Sequence, residues 1–277
     1  MNLYPVETGN FKLDGGAMFG VVPKSIWQKT NPADSNNLCN WAMRCLLIED
    51  GDRLILIDTG IGDKQNERFF SHFHLNGDNT MNSSLKEIGF HPNDITDIVL
   101  THLHFDHVGG SVKKNGKDYQ LTFPNAKYWT NKQHWEWAMN PNPREGASFL
   151  KENIVPIQES GHLNFIERGN ELGTEISFLM VNGHTESQMI PHIKYKNRTI
   201  VFAADLIPSV GHIPIPYIPS YDTRPLLSMD EKTKFLKEAY DKEYILFFEH
   251  DAYNQCCTLK KTEKGIRFGG NLKISDF

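Results

Sequence analysis

The chain has 277 residues, enough for one large folded unit with a substantial core. Hydrophobic residues make up 39% and charged residues 23%, with no polar low-complexity tract, which excludes a disordered or fibrous protein. A formal charge of -5 leaves no broad basic surface to neutralise phosphates, so no nucleic acid is expected as a partner.

The first ten residues show neither the basic nor the apolar region of a leader. No stretch approaches the roughly 20 apolar residues of a membrane span, so the expected location is cytoplasmic, with no membrane partner. Cys39, Cys45, Cys256 and Cys257 lack C-x-x-C spacing and are expected to be reduced, partly buried thiols.

In chain order, residues 11–19, 42–49 and 53–58 predict strands, the last two joined by an Asp50-Gly51 turn. Helical patterns follow over 63–73 and 84–88, and the apolar run 97–101 predicts a strand that ends in a histidine cluster. Thr130 with Gln133 reads as a capping box opening a helix through Trp135 and Trp137, with a further helix expected around 146–153. Strands are predicted over 175–181, 189–195, 199–203 and 244–248, the middle pair turning at 196–198. Ser228 and Glu231 read as a second capping box, with Phe235, Leu236, Ala239 and Tyr240 at helical spacing behind it. There is no internal repeat and no Gly/Ser linker, so the expectation is a single α/β domain over 1–277 with helices outside two sheets. The Pro-rich stretch 207–225 is the long irregular segment, of the kind that usually serves function.

The chemistry is concentrated in Thr101-His-Leu-His-Phe-Asp-His-Val-Gly-Gly110. In an extended segment alternate side chains share a face, which puts His102 and His104 about 6 to 7 Å apart, close enough to share a metal ion. Asp106 and His107 follow as ligands for a second ion, and the glycine pair is expected to let the backbone turn away. Packing these groups together without a cation costs several kcal/mol. His72 and His74 also form an H-x-H pair, but in a helix-like stretch i and i+2 diverge by about 200°, so they are not expected to share a metal. His91, His134, His162 and His192 read as surface or structural residues.

H-x-H-x-D-H after a strand resembles the signature of the metallo-β-lactamase superfamily, and Asp58-Thr59-Gly60 matches that family's earlier element, in which the aspartate supports ligands without being one. The resemblance covers nearly the whole chain and implies an αββα sandwich, two mixed β-sheets flanked by helices. It implies three further ligands after later strands, which match His184, Asp205 and His250. By the same resemblance His102, His104 and His184 form one metal site, Asp106, His107 and His250 the other, and Asp205 bridges them.

All seven ligands are nitrogen or oxygen donors, which suit Zn, Mn, Fe or Co, with zinc the default. A water held between two such ions ionises near neutral pH and the ions polarise a carbonyl or phosphoryl oxygen, so hydrolysis by a bridging hydroxide is implied. Asp106 is then both a ligand and a proton shuttle to the leaving group. A bridging aspartate disfavours the β-lactamases of the fold, and the acidic balance disfavours a tRNA-processing nuclease.

What remains resembles the lactonase branch, implying a small-molecule substrate, N-acyl homoserine lactones, and thus quorum quenching, with a homodimer possible by analogy. The alternative is a phosphotriester (organophosphate) or aryl-ester hydrolase using the same site; a non-hydrolytic di-iron protein is a more distant reading. Pro208 stands where many such lactonases carry a tyrosine, and His212, Tyr217 or Tyr221 are the candidates to replace it, His212 and Tyr217 being the catalytic candidates beside Asp106. Glu186-Ser187-Gln188 stands where relatives often have Pro-Gly. Met18, Phe19, Val22 and Trp27 read either as an acyl pocket or as core.

Overall fold

A computed structural model describes residues 1–166, 172–173 and 175–277. The strands in chain order are β1 (Asn2–Asp14), β2 (Leu38–Asp50), β3 (Arg53–Ile57), β4 (Asp97–Val99), β5 (Val112–Asn115), β6 (Asp118–Leu121), β7 (Lys127–Thr130), β8 (Leu163–Phe165), β9 (Ile176–Val181), β10 (Gln188–Tyr195), β11 (Arg198–Phe202), β12 (Ile245–Phe247), β13 (Cys256–Thr262) and β14 (Gly265–Leu272). The helices are α1 (Gly15–Phe19), α2 (Lys24–Trp27), α3 (Glu67–Ser71), α4 (Met81–Glu87), α5 (Phe105–Val108), α6 (Lys132–Met139), α7 (Lys151–Glu159) and α8 (Pro225–Asp241). The chain divides into two compact units, Met1–Gly9 with Met43–Asn170, and Asn10–Ala42 with Glu171–Phe277. Among the described residues no helix is long and apolar enough to cross a membrane.

The first sheet has the order β1-β2-β3-β4-β7-β8, and the unit boundary falls within β1 and β2. The β2–β3 hairpin is antiparallel and turns at Asp50-Gly51, where Gly51 takes the left-handed φ of 59° that such a turn needs. From β3 onwards the pairs β3–β4, β4–β7 and β7–β8 are parallel. β4 is buried at every position, as expected of a strand inside a parallel sheet. The core of the first unit gathers Val6, Leu47, Leu56, Ile98, Tyr128 and Ile157, with Leu103 of the histidine motif among them.

The second sheet has the order β14-β13-β12-β11-β10-β9, with β11–β12 parallel and the other pairs antiparallel. Its hairpin turns at Lys196, whose φ is 53°. In α8 the buried residues Ser228, Lys232, Phe235, Leu236 and Ala239 recur at helical spacing, giving the helix one inward stripe. The four cysteines are buried free thiols, and burial pushes Cys39 up to about 11.

Several boundaries differ from the sequence expectation for local reasons. Residues 15–19 are helical, because the Asp14 carboxylate accepts the Ala17 N–H at 2.8 Å and caps a helix there. The helix expected over 63–73 shortens to α3, with Asn66 accepting from the Phe69 N–H at 2.9 Å. Thr130 closes β7, and Asn131 is the cap of α6, accepting the His134 N–H at 2.8 Å. The helix expected around 146–153 is α7, which starts at Lys151. α8 opens at Pro225, whose fixed φ and missing N–H suit a first turn, so Ser228 and Glu231 lie inside the helix and are not a capping box.

Candidate metal centre

In the first unit the candidate ligands hang from the ends of parallel strands. Asp58 follows β3 with a left-handed φ of 58°, and its carboxylate accepts the Thr101 N–H at 2.8 Å and the Thr101 hydroxyl at 2.6 Å. Thr59 in turn donates to the His107 carbonyl through both N–H (2.8 Å) and hydroxyl (2.9 Å). Asp58 is therefore a brace tying the end of β3 to the motif after β4. The motif itself is not strand: β4 stops at Val99, residues 100–104 are irregular, and Asp106 and His107 ride on α5. The alternation holds all the same, since Leu103 enters the core while the rings of His102 and His104 lie 4.6 Å apart. His102 and His104 each offer a ring nitrogen within 4.8 Å of the other's.

The glycine pair is needed for space and not for its φ. A Cβ on Gly109 would stand 2.1 Å from the Ile61 carbonyl oxygen, and one on Gly110 would stand 2.1 Å from that of Thr59. Lys64, buried beside the motif, donates to the Gly109 carbonyl, and burial lowers its pKa to about 8.

In the second unit His184 follows β9, Asp205 follows β11 and His250 follows β12. The carboxylate of Asp205 faces Nε2 of both histidines, at 3.1 Å in each case. Burial works against a charged His184 ring, but Asp205 and then Asp222 outweigh it and carry the pKa up to about 10.

Each histidine of the set is oriented through its other nitrogen. Thr101 Oγ donates to Asp58, so it accepts from His102 Nδ1 at 3.1 Å. His104 donates Nε2–H to Glu145 at 3.3 Å, His107 donates Nδ1–H to Asp58 at 3.2 Å, His184 donates Nδ1–H to Asp222 at 2.9 Å, and His250 donates Nδ1–H to the Ala42 carbonyl at 2.8 Å. This is how metal-binding imidazoles are held, with one nitrogen anchored and the other presenting its lone pair. In the second unit those lone pairs face carboxylate oxygens, an arrangement that calls for a cation or for protons. The donor set fits divalent cations.

Two residues of the arrangement, Glu145 and Asp222, escape sequence reasoning. Glu145 is buried in an irregular segment, where it also accepts from Trp137 Nε1 at 2.7 Å. Asp222 is likewise buried beside His184. His134, read as surface or structural, is structural and sits at the motif, its Nε2 accepting the Leu103 N–H at 2.8 Å. No local periodicity marks a residue whose partner is distant in the chain.

His212 is a correction. It is fully buried, stacked on Phe19 at 4.4 Å, with Nδ1 accepting from Ser209 Oγ and Nε2–H donating to the Met18 carbonyl, each at 2.8 Å. With both nitrogens used inside the core it has none for a substrate, and burial drives its pKa down to about 3. Met18, Phe19, Val22 and Trp27 are also core and not a pocket lining, with Phe19 and Trp27 stacked at 5.3 Å. Tyr217 is half-buried against Phe19, and Tyr221 is exposed. His72 and His74 are exposed. After His184, Ser187 takes a φ of 56° and Glu186 pairs with Arg224 at 2.7 Å, which shapes the loop without the Pro-Gly expected there.

The sequence profile of the metallo-beta-lactamase superfamily matches residues 44–250. The chain belongs to this superfamily and is a hydrolase of its metal-dependent kind. It is 28% identical over 265 residues to the N-acyl homoserine lactonase AiiA of Bacillus thuringiensis subsp. kurstaki, covering 90% of this chain and 92% of the relative. A probable metal-dependent hydrolase from Staphylococcus aureus has a similar structure, with a TM-score of 0.89, 27% identity, and 98% and 96% of the two chains covered. AidC, a dizinc quorum-quenching lactonase solved with N-hexanoyl-homoserine product, shares the fold at a TM-score of 0.81 and 24% identity, covering 98% and 94%.

Proposed function

We propose that the chain is a two-metal lactonase that opens N-acyl homoserine lactones, a quorum-quenching activity. The observation that carries the reading is the similarity to N-acyl homoserine lactonases over 90% of the chain, beside a candidate donor set made of histidines and aspartates. His102, His104 and His184 would hold one ion and Asp106, His107 and His250 the other, with Asp205 between. Two divalent cations, zinc by default, supply Lewis acidity and a hydroxide available near neutral pH.

The chain's own residues do the rest. As hydroxide adds to the lactone carbonyl and the ring C–O bond breaks, Asp106, whose carboxylate lies 3.8 Å from His107 Nε2, would take the proton of the added hydroxyl and pass it to the alkoxide, leaving a carboxylate and an alcohol. Tyr217 replaces the tyrosine expected at Pro208 and hydrogen-bonds the substrate. Beside α5, the half-buried rings of Phe69, Phe73 and Phe105 pack at 5.4 and 4.7 Å and supply apolar surface for an acyl chain. A cytoplasmic location and a homodimer are part of the same proposal, on the resemblance to lactonases.

The test measures bound metal by mass spectrometry and, on the same preparation, turnover of N-acyl homoserine lactones beside a p-nitrophenyl phosphotriester. Two equivalents of metal with efficient lactone opening are expected. Turnover of the phosphotriester with little lactone opening would move the function to organophosphate hydrolysis. In Asp106→Asn, full turnover with both metals retained would remove the proton-shuttle role.

A further inference from the structure

A partly buried polar cluster lies in the second unit, where the start of α8 meets the 182–186 loop. Glu231 accepts the N–H groups of Asn182 at 2.8 Å and Gly183 at 2.9 Å. Arg224 donates its guanidinium to the Asn182 carbonyl at 2.7 Å and its backbone N–H to Gly183 at 2.9 Å, and Thr223 N–H reaches the His184 carbonyl at 3.1 Å. Gly183 lies so close to α8 that a Cβ there would stand 2.3 Å from Ser228 Oγ. The loop is therefore held through its backbone by one face of a helix.

Asp222 adds a contact to the side chain. It is buried, its Oδ1 accepts from His184 Nδ1 at 2.9 Å, and its Oδ2 accepts from the Ser228 hydroxyl. A buried carboxylate costs several kcal/mol unless its partners repay the lost water. Here the ring of His184 stands between two carboxylates, Asp222 at Nδ1 and Asp205 at Nε2. A neutral imidazole has one N–H, and the nitrogen that keeps it cannot bind a metal.

We infer that Asp222 is a positioning residue that holds His184 in its Nδ1–H form, anchored by Ser228, and so sets how tightly His184 Nε2 takes a divalent cation. This rests on the metal-binding reading above. It predicts that only the ion held by His184 depends on Asp222.

The test titrates Zn(II) into the metal-stripped full chain against a chromophoric chelator, with melting of the metal-free protein and the Co(II) absorption spectrum as further readouts. Asp222→Ala is expected to weaken one of two equivalents by about 10–100-fold and leave the other within about twofold. Asp222→Asn, whose amide oxygen still accepts the Nδ1–H, is expected to recover part of that loss, and Ser228→Ala to lose about tenfold or less. The Co(II) spectrum should change in Asp222→Ala while melting of the metal-free protein stays at the wild-type value. Wild-type affinity for both equivalents in Asp222→Ala overturns the inference, as does an equal loss of both with a lower melting temperature in Asp222→Asn. A wild-type chain that takes up no Zn(II) overturns the metal reading itself, and the inference with it.

Discussion

In the first unit four candidate ligands occupy residues 102–107, braced by Asp58 and Thr59 from the end of β3 and by glycines packed on carbonyl oxygens. In the second, His184, Asp205 and His250 come from the ends of three strands, and distant carboxylates and carbonyls orient their rings. The first arrangement depends on close backbone approach, the second on buried polar partners. Damage to the first should register as lost folding stability, and damage to the second as lost metal affinity at nearly unchanged stability.

The largest expected effect is in the second unit. Asp205→Ala removes the carboxylate that faces both His184 and His250, and a lost ligand should exceed the roughly 10–100-fold cost of losing a ligand's support. Metal content and hydrolytic turnover should both collapse; retention of two equivalents would show that Asp205 is not a ligand.

Next comes Gly110→Ala in the first unit. Its Cβ meets the Thr59 carbonyl, backbone that cannot step aside, so urea denaturation of the metal-free protein should show a loss of about 1–3 kcal/mol or more. A variant as stable as wild type would break the contrast between the units.

Glu145→Gln sharpens it, because Glu145 is a device of the second kind placed in the first unit. An amide keeps an acceptor for His104 Nε2–H but loses the charge, so a metal-affinity loss near the low end of about 10–100-fold is expected, with folding stability little changed.

The smallest effect concerns His212. Its folded pKa, about 3, lies below the ordinary 6.5, so the unfolded ring takes up a proton that the folded one refuses. The stability it contributes is complete above pH 6.5 and is lost as pH falls towards 3. Between pH 5 and 6 the metal-free wild type should lose about 1.4 kcal/mol more than His212→Gln on acidification. Equal slopes would mean that the buried ring titrates normally.

The same contrast explains what could be read in advance. The β2–β3 hairpin with its Asp-Gly turn, strands β9 to β12 of the second sheet and the stripe of α8 follow from short-range periodicity, and the structure contains them, whereas the β13–β14 hairpin beyond them is not among the expected strands. The strand expected over 11–19 gave way to a helix after Asp14, and the starts of α6 and α8 shifted, because capping depends on which single side chain reaches an N–H, a choice that neighbouring residues offer almost equally. His212 misled for a related reason: its place in the Pro-rich loop after Asp205 pointed towards the site, whereas stacking on Phe19 holds it in the core.

By itself the sequence determined the family and singled out the candidate ligands and the strand ends on which they stand, because a metal site needs particular side-chain types and a strand end announces itself locally. Only the tertiary structure decided which nitrogen of each histidine is anchored, that Glu145 and Asp222 do part of the anchoring, and that Ser228 and Glu231 support a loop instead of capping a helix. Apart from the Ser228–Asp222 bond, these hydrogen bonds join residues far apart in the chain, and what selects them is the desolvation of buried polar groups, which no local pattern of residues records.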